Sequence, residues 1–259
     1  MILSEIIDLV KFPIDDPEFQ KSCKTILDRN GALNLEGFLR PAAIEEIRKE
    51  AIENQHLAYF VKNDHNVYLT TDDPEYPTDH PRNRPISSSK GCIQDDQIPE
   101  CSPLHTLYDA EIFRTFLSTV LGEEALYDYA DSLSSINLHY ASEGQELGWH
   151  FDNSSFATTL LIQKPDAGGI FEYVENVRNS NHGEMNFNAV GDILDGKTLV
   201  KTFDVPEGTL ALFRGRDAMH RVTPTKGART RMLVVFAYNS KPNIAISPAA
   251  SMTFYGRIG

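Results

Sequence analysis

Apolar residues recur at helical spacing through the first third of the chain and give way to short β-like runs beyond residue 126. Asp16-Pro17-Glu18 reads as a helix start, because proline is tolerated in the first turn. Phe19, Cys23, Ile26 and Leu27 follow on one stripe until Gly31 supplies a stop. A second helix is predicted from Pro41, with Ile44, Ile47 and Ala51 on its apolar face and Glu45, Glu46, Lys49 and Glu50 outside. A third runs from about Asp109 through Ile112, Phe113, Phe116, Leu117 and Val120 to Gly122. The later runs alternate or are β-branched: Ser135–Tyr140, Phe156–Ile162, Thr202–Val205, Thr209–Phe213 and Met232–Tyr238, with glycine turns between them.

Two stretches fit neither pattern. Six of the fourteen prolines fall between residues 74 and 103, so residues 72–103 are expected to form a long loop, a surface crossover or a lid over a site. An Asn-rich segment, about residues 176–197, interrupts the strands as an insertion. Helices followed by many short strands predict an α+β fold, a jelly roll or related double-sheet barrel packed against N-terminal helices. The expected organisation is one domain over 1–259, mainly helical in 1–125 and β in 126–259.

Composition narrows the class. With 24 Lys plus Arg against 37 Asp plus Glu, the net charge of −13 argues against a nucleic-acid or anionic-membrane partner. No apolar run approaches the ~18 residues of a membrane span. Cys23, Cys92 and Cys101 form no Cys-x-x-Cys pair, which suits reduced thiols in a cytoplasm.

The chemistry concentrates in Gly148-Trp149-His150-Phe151-Asp152. Residues i and i+2 of a strand share a face, so His150 and Asp152 can reach one point, while Trp149 should turn away into helix packing. His182-Gly-Glu184 repeats the pattern but lies in the polar insertion and is set aside. His220, following the strand Thr209–Phe213, would complete two histidines and one carboxylate on one face of a metal, the arrangement of non-haem Fe(II) oxygenases. Between residues 214 and 231 stand six bases (Arg214, Arg216, Arg221, Lys226, Arg229, Arg231) and one acid, Asp217, a net +5 in an acidic chain. Most belong on a solvated hairpin. Arg229 or Arg231, however, leads into an apolar strand, where an inward guanidinium needs a buried anion and grips a carboxylate by its two-pronged fork. Alternation does not separate these two arginines; the Gly-x-Arg spacing favours Arg229.

Taken together, His150-x-Asp152, His220-x-Val-x-Pro and Gly-Ala-Arg229 resemble the Fe(II)/2-oxoglutarate-dependent dioxygenases, whose fold is a cupin-like double-stranded β-helix. The resemblance implies Fe(II) on His150, Asp152 and His220, with 2-oxoglutarate and O2 as co-substrates. It also implies 2-oxoglutarate contacts from Tyr140, ten residues before His150, and from Arg229, nine after His220. The longer string GWHFD…LLIQKPDAGGIFEYVENVR…GTLALFRGR…MHRVTP…FYGR, spread over residues 65–259, looks similar to a bacterial halogenase and hydroxylase group acting on free amino acids such as lysine. In its halogenating members a small residue replaces the carboxylate ligand and leaves a position for chloride. Asp152 is kept here, so the resemblance implies hydroxylation.

Asn153, Glu172, Arg84 and Lys90 are candidate contacts for a polar small-molecule substrate, and Val235 and Ala237 are expected to line the pocket. Two other readings stay open: desaturation or epimerisation on the same scaffold, and a ligand-sensing jelly roll without turnover.

Overall fold

Asp16 caps the first long helix as its sequence predicts, its carboxylate accepting the Glu18 N–H at 3.2 Å, and Gly31 ends that helix in the left-handed conformation at φ 68°. The computed structural model describes Met1–Gly259. Its elements run α1 (Leu3–Ile6), α2 (Pro17–Asn30), β1 (Ala32–Leu35), α3 (Pro41–Asn54), β2 (Tyr59–His65), β3 (Ile86–Ile93), α4 (Pro103–Tyr108), α5 (Glu111–Leu121), β4 (Ile136–Ala141) and β5 (Leu147–His150). They continue β6 (Ala157–Gln163), β7 (Ala167–Gly168), β8 (Phe171–Val174), α6 (Phe187–Leu194), β9 (Lys201–Phe203), β10 (Leu210–Phe213), β11 (Met219–Val222), β12 (Thr225–Lys226), β13 (Arg231–Phe236) and α7 (Pro248–Tyr255). No helix is long and apolar enough to cross a membrane.

All strand pairs are antiparallel. A seven-stranded sheet in the order β1-β10-β6-β13-β4-β3-β2 faces a four-stranded sheet in the order β5-β11-β8-β9, the double-sheet jelly roll expected from the strand pattern. Alternation assigns the two faces of the larger sheet. On β13, Met232, Val234 and Phe236 join the main core with Leu27, Ile47, Phe113 and Phe116 of the helices, while Arg231, Leu233 and Val235 face the interior between the sheets. A second cluster packs α6 on the outside of the smaller sheet: Val190 and Ile193 meet Trp149, Phe151 and Met219. Trp149 thus turns away from the interior, as parity requires.

The stretch predicted as a loop over 72–103 needs correction. Its second half contains β3, an eight-residue strand that pairs with β2 on one side and β4 on the other. Ile-Ser-Ser-Ser-Lys-Gly-Cys-Ile has no apolar alternation to announce it; backbone pairing between two neighbours overrides weak local propensity. The first half is irregular but held by its own side chains. Asn83 is buried, accepts the Asp73 N–H and donates to the carbonyls of Asp73 and Tyr76, each at 2.8 Å, and Tyr76 stacks on His80 at 4.3 Å.

One buried carboxylate sets a pH dependence for the fold. Asp95 sits just after β3 with Oδ1 buried and lacking a hydrogen bond, and His105 Nδ1 is 3.8 Å away. Burial pushes its carboxyl up to about 6, against the pull of His105 and with help from Asp109, Asp96 and Asp128. A raised carboxyl pKa means the folded state holds the proton more tightly. The associated stability is present at low pH and is lost as pH rises through about 6. Asp95→Asn is therefore expected to raise Tm at pH 7.5 by roughly 2–4 °C, the shift for about 1 kcal/mol in a chain of this size, and to flatten Tm between about pH 4 and 6. Thermal melts across that range check both.

Candidate active site

Strands β5 and β11 lie side by side in the smaller sheet, and their register sets His150 directly opposite His220. Side chains opposed in an antiparallel pair share a face, so both imidazoles enter the interior, with ring centroids 4.1 Å apart. Each ring is oriented by its own strand. His150 Nδ1 lies 2.8 Å from the Gly148 carbonyl and His220 Nδ1 lies 3.0 Å from that of Ala218. A carbonyl only accepts, so both Nδ1 atoms carry a hydrogen, which leaves Nε2 as the only ring nitrogen able to bind a metal. Burial, and then the adjacent His220, push the His150 imidazole down to about 3, which keeps it neutral.

Asp152 completes the group just past the end of β5. Its N–H donates to the Gly215 carbonyl at 3.1 Å, turning the chain so that the carboxylate Oδ1 stands 3.4 Å from His220 Nε2 and 3.7 Å from His150 Nε2. Its Oδ2 is buried with no hydrogen-bond partner. Burial works to raise this carboxyl, but His220, His150 and Lys90 outweigh it and hold the group below its ordinary range. A Cβ on Gly215 would lie 1.8 Å from Oδ2, so only glycine leaves room for the carboxylate here. One ligand atom from each of the three residues lies within 4.8 Å of the others. Two imidazole Nε2 atoms and one carboxylate, its Oδ2 buried without a partner, form a donor set that suits a divalent transition metal with positions left open.

A cavity of about 1050 Å³ surrounds this triad. Phe171 stacks on the His220 ring at 5.5 Å and Phe213 meets it edge-on at 4.9 Å, giving one side an apolar wall. Three nitrogen bases from adjacent strands form the opposite wall: Arg231 of β13, His139 of β4 and Lys90 of β3. The Lys90 amine contacts only the His139 ring, at 3.2 and 3.3 Å. Burial lowers the pKa of both groups, His139 strongly, and takes the Arg231 guanidinium down to about 10. Lys90 and Arg231 have no carboxylate within ion-pair distance, so the interior wall offers unpaired positive charge to an anion.

The sequence-predicted residues divide. Asn153, Lys90, Val235 and Ala237 line the cavity together with the triad and Arg231. Arg229 does not: residues 227–229 bend before β13 begins, and its guanidinium pairs with Glu207 on the surface at 2.9 Å. The expectation of a shared strand parity fails because Arg229 is not on the strand. Tyr140 is fully buried on the helix side of β4, its hydroxyl donating to the Ala51 carbonyl of α3 at 2.7 Å. Glu172 is held by Arg221 at 2.7 Å, and Arg84 pairs with Asp195 at 2.6 Å, both off the cavity. Tyr140→Phe is thus expected to cost about 1–3 kcal/mol by removing the donor to a buried carbonyl, without changing the lining of the cavity; chemical denaturation reads the loss. His139 and Gly215 went unpredicted. Two polar residues, Asn137 and His139, on the face of β4 opposite Leu138 and Tyr140 were the available signal for the first, and nothing in the sequence pointed to the second.

A protein-family model described as halogenase D matches residues 16–253. The chain belongs to the halogenase D family. No curated protein sequence matches it. Among solved structures the likeness is one of fold, at low identity. One neighbour is a 2OG-Fe(II) oxygenase family oxidoreductase from Burkholderia pseudomallei, at TM-score 0.55 and 12% identity over 87% of this chain and 92% of that one. The non-heme alpha-ketoglutarate-dependent epimerase SnoN from nogalamycin biosynthesis aligns at TM-score 0.57 and 11% identity, over 86% and 83%. A prolyl hydroxylase from Trichoplax adhaerens, solved with a hypoxia inducible factor peptide fragment, aligns at 0.56 and 12%, over 86% and 90%.

Proposed function

We propose that this halogenase D family chain is an Fe(II)- and 2-oxoglutarate-dependent oxygenase that hydroxylates an unactivated C–H of a small polar molecule, a free amino acid such as lysine. The observation that carries the reading is the juxtaposition of His150, Asp152 and His220 with the unpaired Arg231 in one cavity. His150, Asp152 and His220 would hold the iron, and Arg231 the far carboxylate of 2-oxoglutarate. The iron supplies O2 activation coupled to conversion of 2-oxoglutarate into succinate and CO2. The chain's own contribution is orientation and exclusion. The two backbone carbonyls fix the ring tautomers, the Phe171 and Phe213 rings keep water from one side, and the β13 residues Leu233 and Val235 give the interior an apolar floor. Lys90 and Asn153 are the cavity-lining candidates for polar contacts with substrate.

Retention of Asp152 supports hydroxylation over halogenation. The carboxylate would give the metal an anionic donor at the position that, as the resemblance implies, a small residue vacates for chloride in halogenating members. Gly215 has no side chain just where that carboxylate fits.

The test is succinate release from protein reconstituted anaerobically with Fe(II), then mixed with 2-oxoglutarate, O2 and a panel of free L-amino acids. Product masses are read in parallel. Succinate coupled to a product heavier by one oxygen supports the proposal. A product lighter by two hydrogens, or isomeric with substrate, moves the chemistry to desaturation or epimerisation. Tight metal binding with no succinate from any panel member favours the ligand-sensing reading and overturns this one.

A further inference from the structure

His150 lies on β5, the edge strand of the four-stranded sheet, whereas His220 lies on β11, laddered on both sides. An edge strand lacks one row of backbone partners, so the ring it carries is the less constrained of the two unless something outside the sheet braces it. The brace comes from β3. Ser89 N–H donates to the Glu146 carbonyl at 2.7 Å, and Gly148 N–H donates to the Ser88 hydroxyl at 2.9 Å. A Cβ on Gly148 would lie 2.4 Å from the Ser87 carbonyl oxygen, so the two backbones approach closely because this residue has no side chain. Beyond Ser88 stands His65, half-buried at the end of β2, with Nε2 2.7 Å from the Ser88 hydroxyl and Nδ1 3.0 Å from the Asn66 carbonyl. Its ring meets the His150 ring edge-on at 6.4 Å.

With His65 neutral, every donor in this series is assigned. The Asn66 carbonyl accepts, so His65 Nδ1 carries the hydrogen and its Nε2 accepts from the Ser88 hydroxyl. The Ser88 oxygen then accepts from Gly148 N–H, and the Gly148 carbonyl accepts from His150 Nδ1–H, leaving His150 Nε2 facing Asp152 and His220. We propose that His65 and Ser88, which line the same cavity, are positioning residues for the metal that act by fixing Gly148 and through it the ring plane and tautomer of His150. Coupling passes Gly148 by position, since its N–H and carbonyl belong to different peptide units. The proposal rests on the assignment of His150 as a metal ligand. Partners behind a metal-bound histidine typically carry about 10–100-fold in metal affinity.

The experiment measures Co(II) binding to the full-length protein by equilibrium titration, with the visible d–d band of the bound ion recorded, in the parent and in Ser88→Ala, His65→Phe and His65→Gln. Ser88→Ala and His65→Phe should weaken Co(II) at least about tenfold and shift the band. His65→Gln, which keeps an acceptor near the Nε2 position, should recover most of the affinity. Melting of the metal-free proteins separates a folding defect from a positioning one: the proposal requires that these melts stay close to the parent while the metal-induced rise in Tm shrinks. Affinities within about threefold of the parent with an unchanged band overturn it while leaving the triad in place. A parent that binds no Co(II) overturns the triad assignment, and the proposal falls with it.

Discussion

Arg231→Met is expected to remove 2-oxoglutarate binding while leaving the ligand-free protein as stable as before, or more stable. The two effects share one cause. The guanidinium is half-buried on the cavity wall without an acid beside it, and desolvation alone takes its pKa down to about 10. Such a group is costly until an anion arrives, so replacing it with an apolar chain of similar length relieves the free protein. Losing one member of a buried hydrogen-bonded charge pair costs about 2–5 kcal/mol of binding, roughly 30- to several-thousand-fold in affinity. Differential scanning fluorimetry with and without saturating 2-oxoglutarate reads both signs. The parent should melt higher with the ligand, and Arg231→Met should show no ligand shift and an unreduced baseline. Arg229→Ala is the control, since its partner is Glu207 on the surface, and it should keep the parent's ligand shift. A full ligand shift in Arg231→Met would move the carboxylate site to Lys90 and His139.

The helices and most strands were legible in the sequence because their signals are local. Asp16-Pro17 and Gly31 bound α2 through cap chemistry, and the Ile112–Val120 stripe ends at Gly122 for the same reason. The clustering of His150, Asp152 and His220 was legible in part: the i, i+2 spacing pairs His150 with Asp152, but Asp152 lies past the end of β5 and comes round only through its bond to the Gly215 carbonyl. The element misread as loop was the one whose stability is entirely non-local: β3 is polar and serine-rich, and exists because β2 and β4 pair with it. Site assignments failed where a family spacing was trusted over the pleat. On β4, Ile136, Leu138 and Tyr140 share the apolar parity that packs on helices, so Tyr140 could not also face the cavity that His139 lines. On β13 the bend at 227–229 delays the strand, and it is Arg231 that leads the inward set with Leu233 and Val235. Gly215 was beyond sequence reasoning altogether, since its role is a space that exists only after Asp152 has folded against it.

That space gives the remaining prediction: Gly215→Ala should silence turnover nearly as fully as Asp152→Gly, by a different route. In Asp152→Gly the anionic ligand is gone. Losing the one anionic donor of the set is expected to slow succinate formation at least about 10²-fold, roughly 2.7 kcal/mol of barrier. In Gly215→Ala the carboxylate is present but displaced, because the new methyl would stand 1.8 Å from Oδ2 and the Asp152 N–H is already tied to the Gly215 carbonyl. Overpacking of this kind costs about 1–3 kcal/mol, so Tm should fall by roughly 2–4 °C for each kcal/mol. The double variant separates the two effects. With Asp152 reduced to glycine the methyl has room, so Tm should return toward that of Asp152→Gly alone while succinate formation stays absent. The difference between the double and the sum of the singles measures the contact, expected at about 0.5–3 kcal/mol. Melting curves and succinate assays on the four proteins are sufficient. Succinate formation at the parent rate in Asp152→Gly would overturn the assignment of Asp152 as a metal ligand, and additive Tm losses would mean that Gly215 and Asp152 do not press on one another.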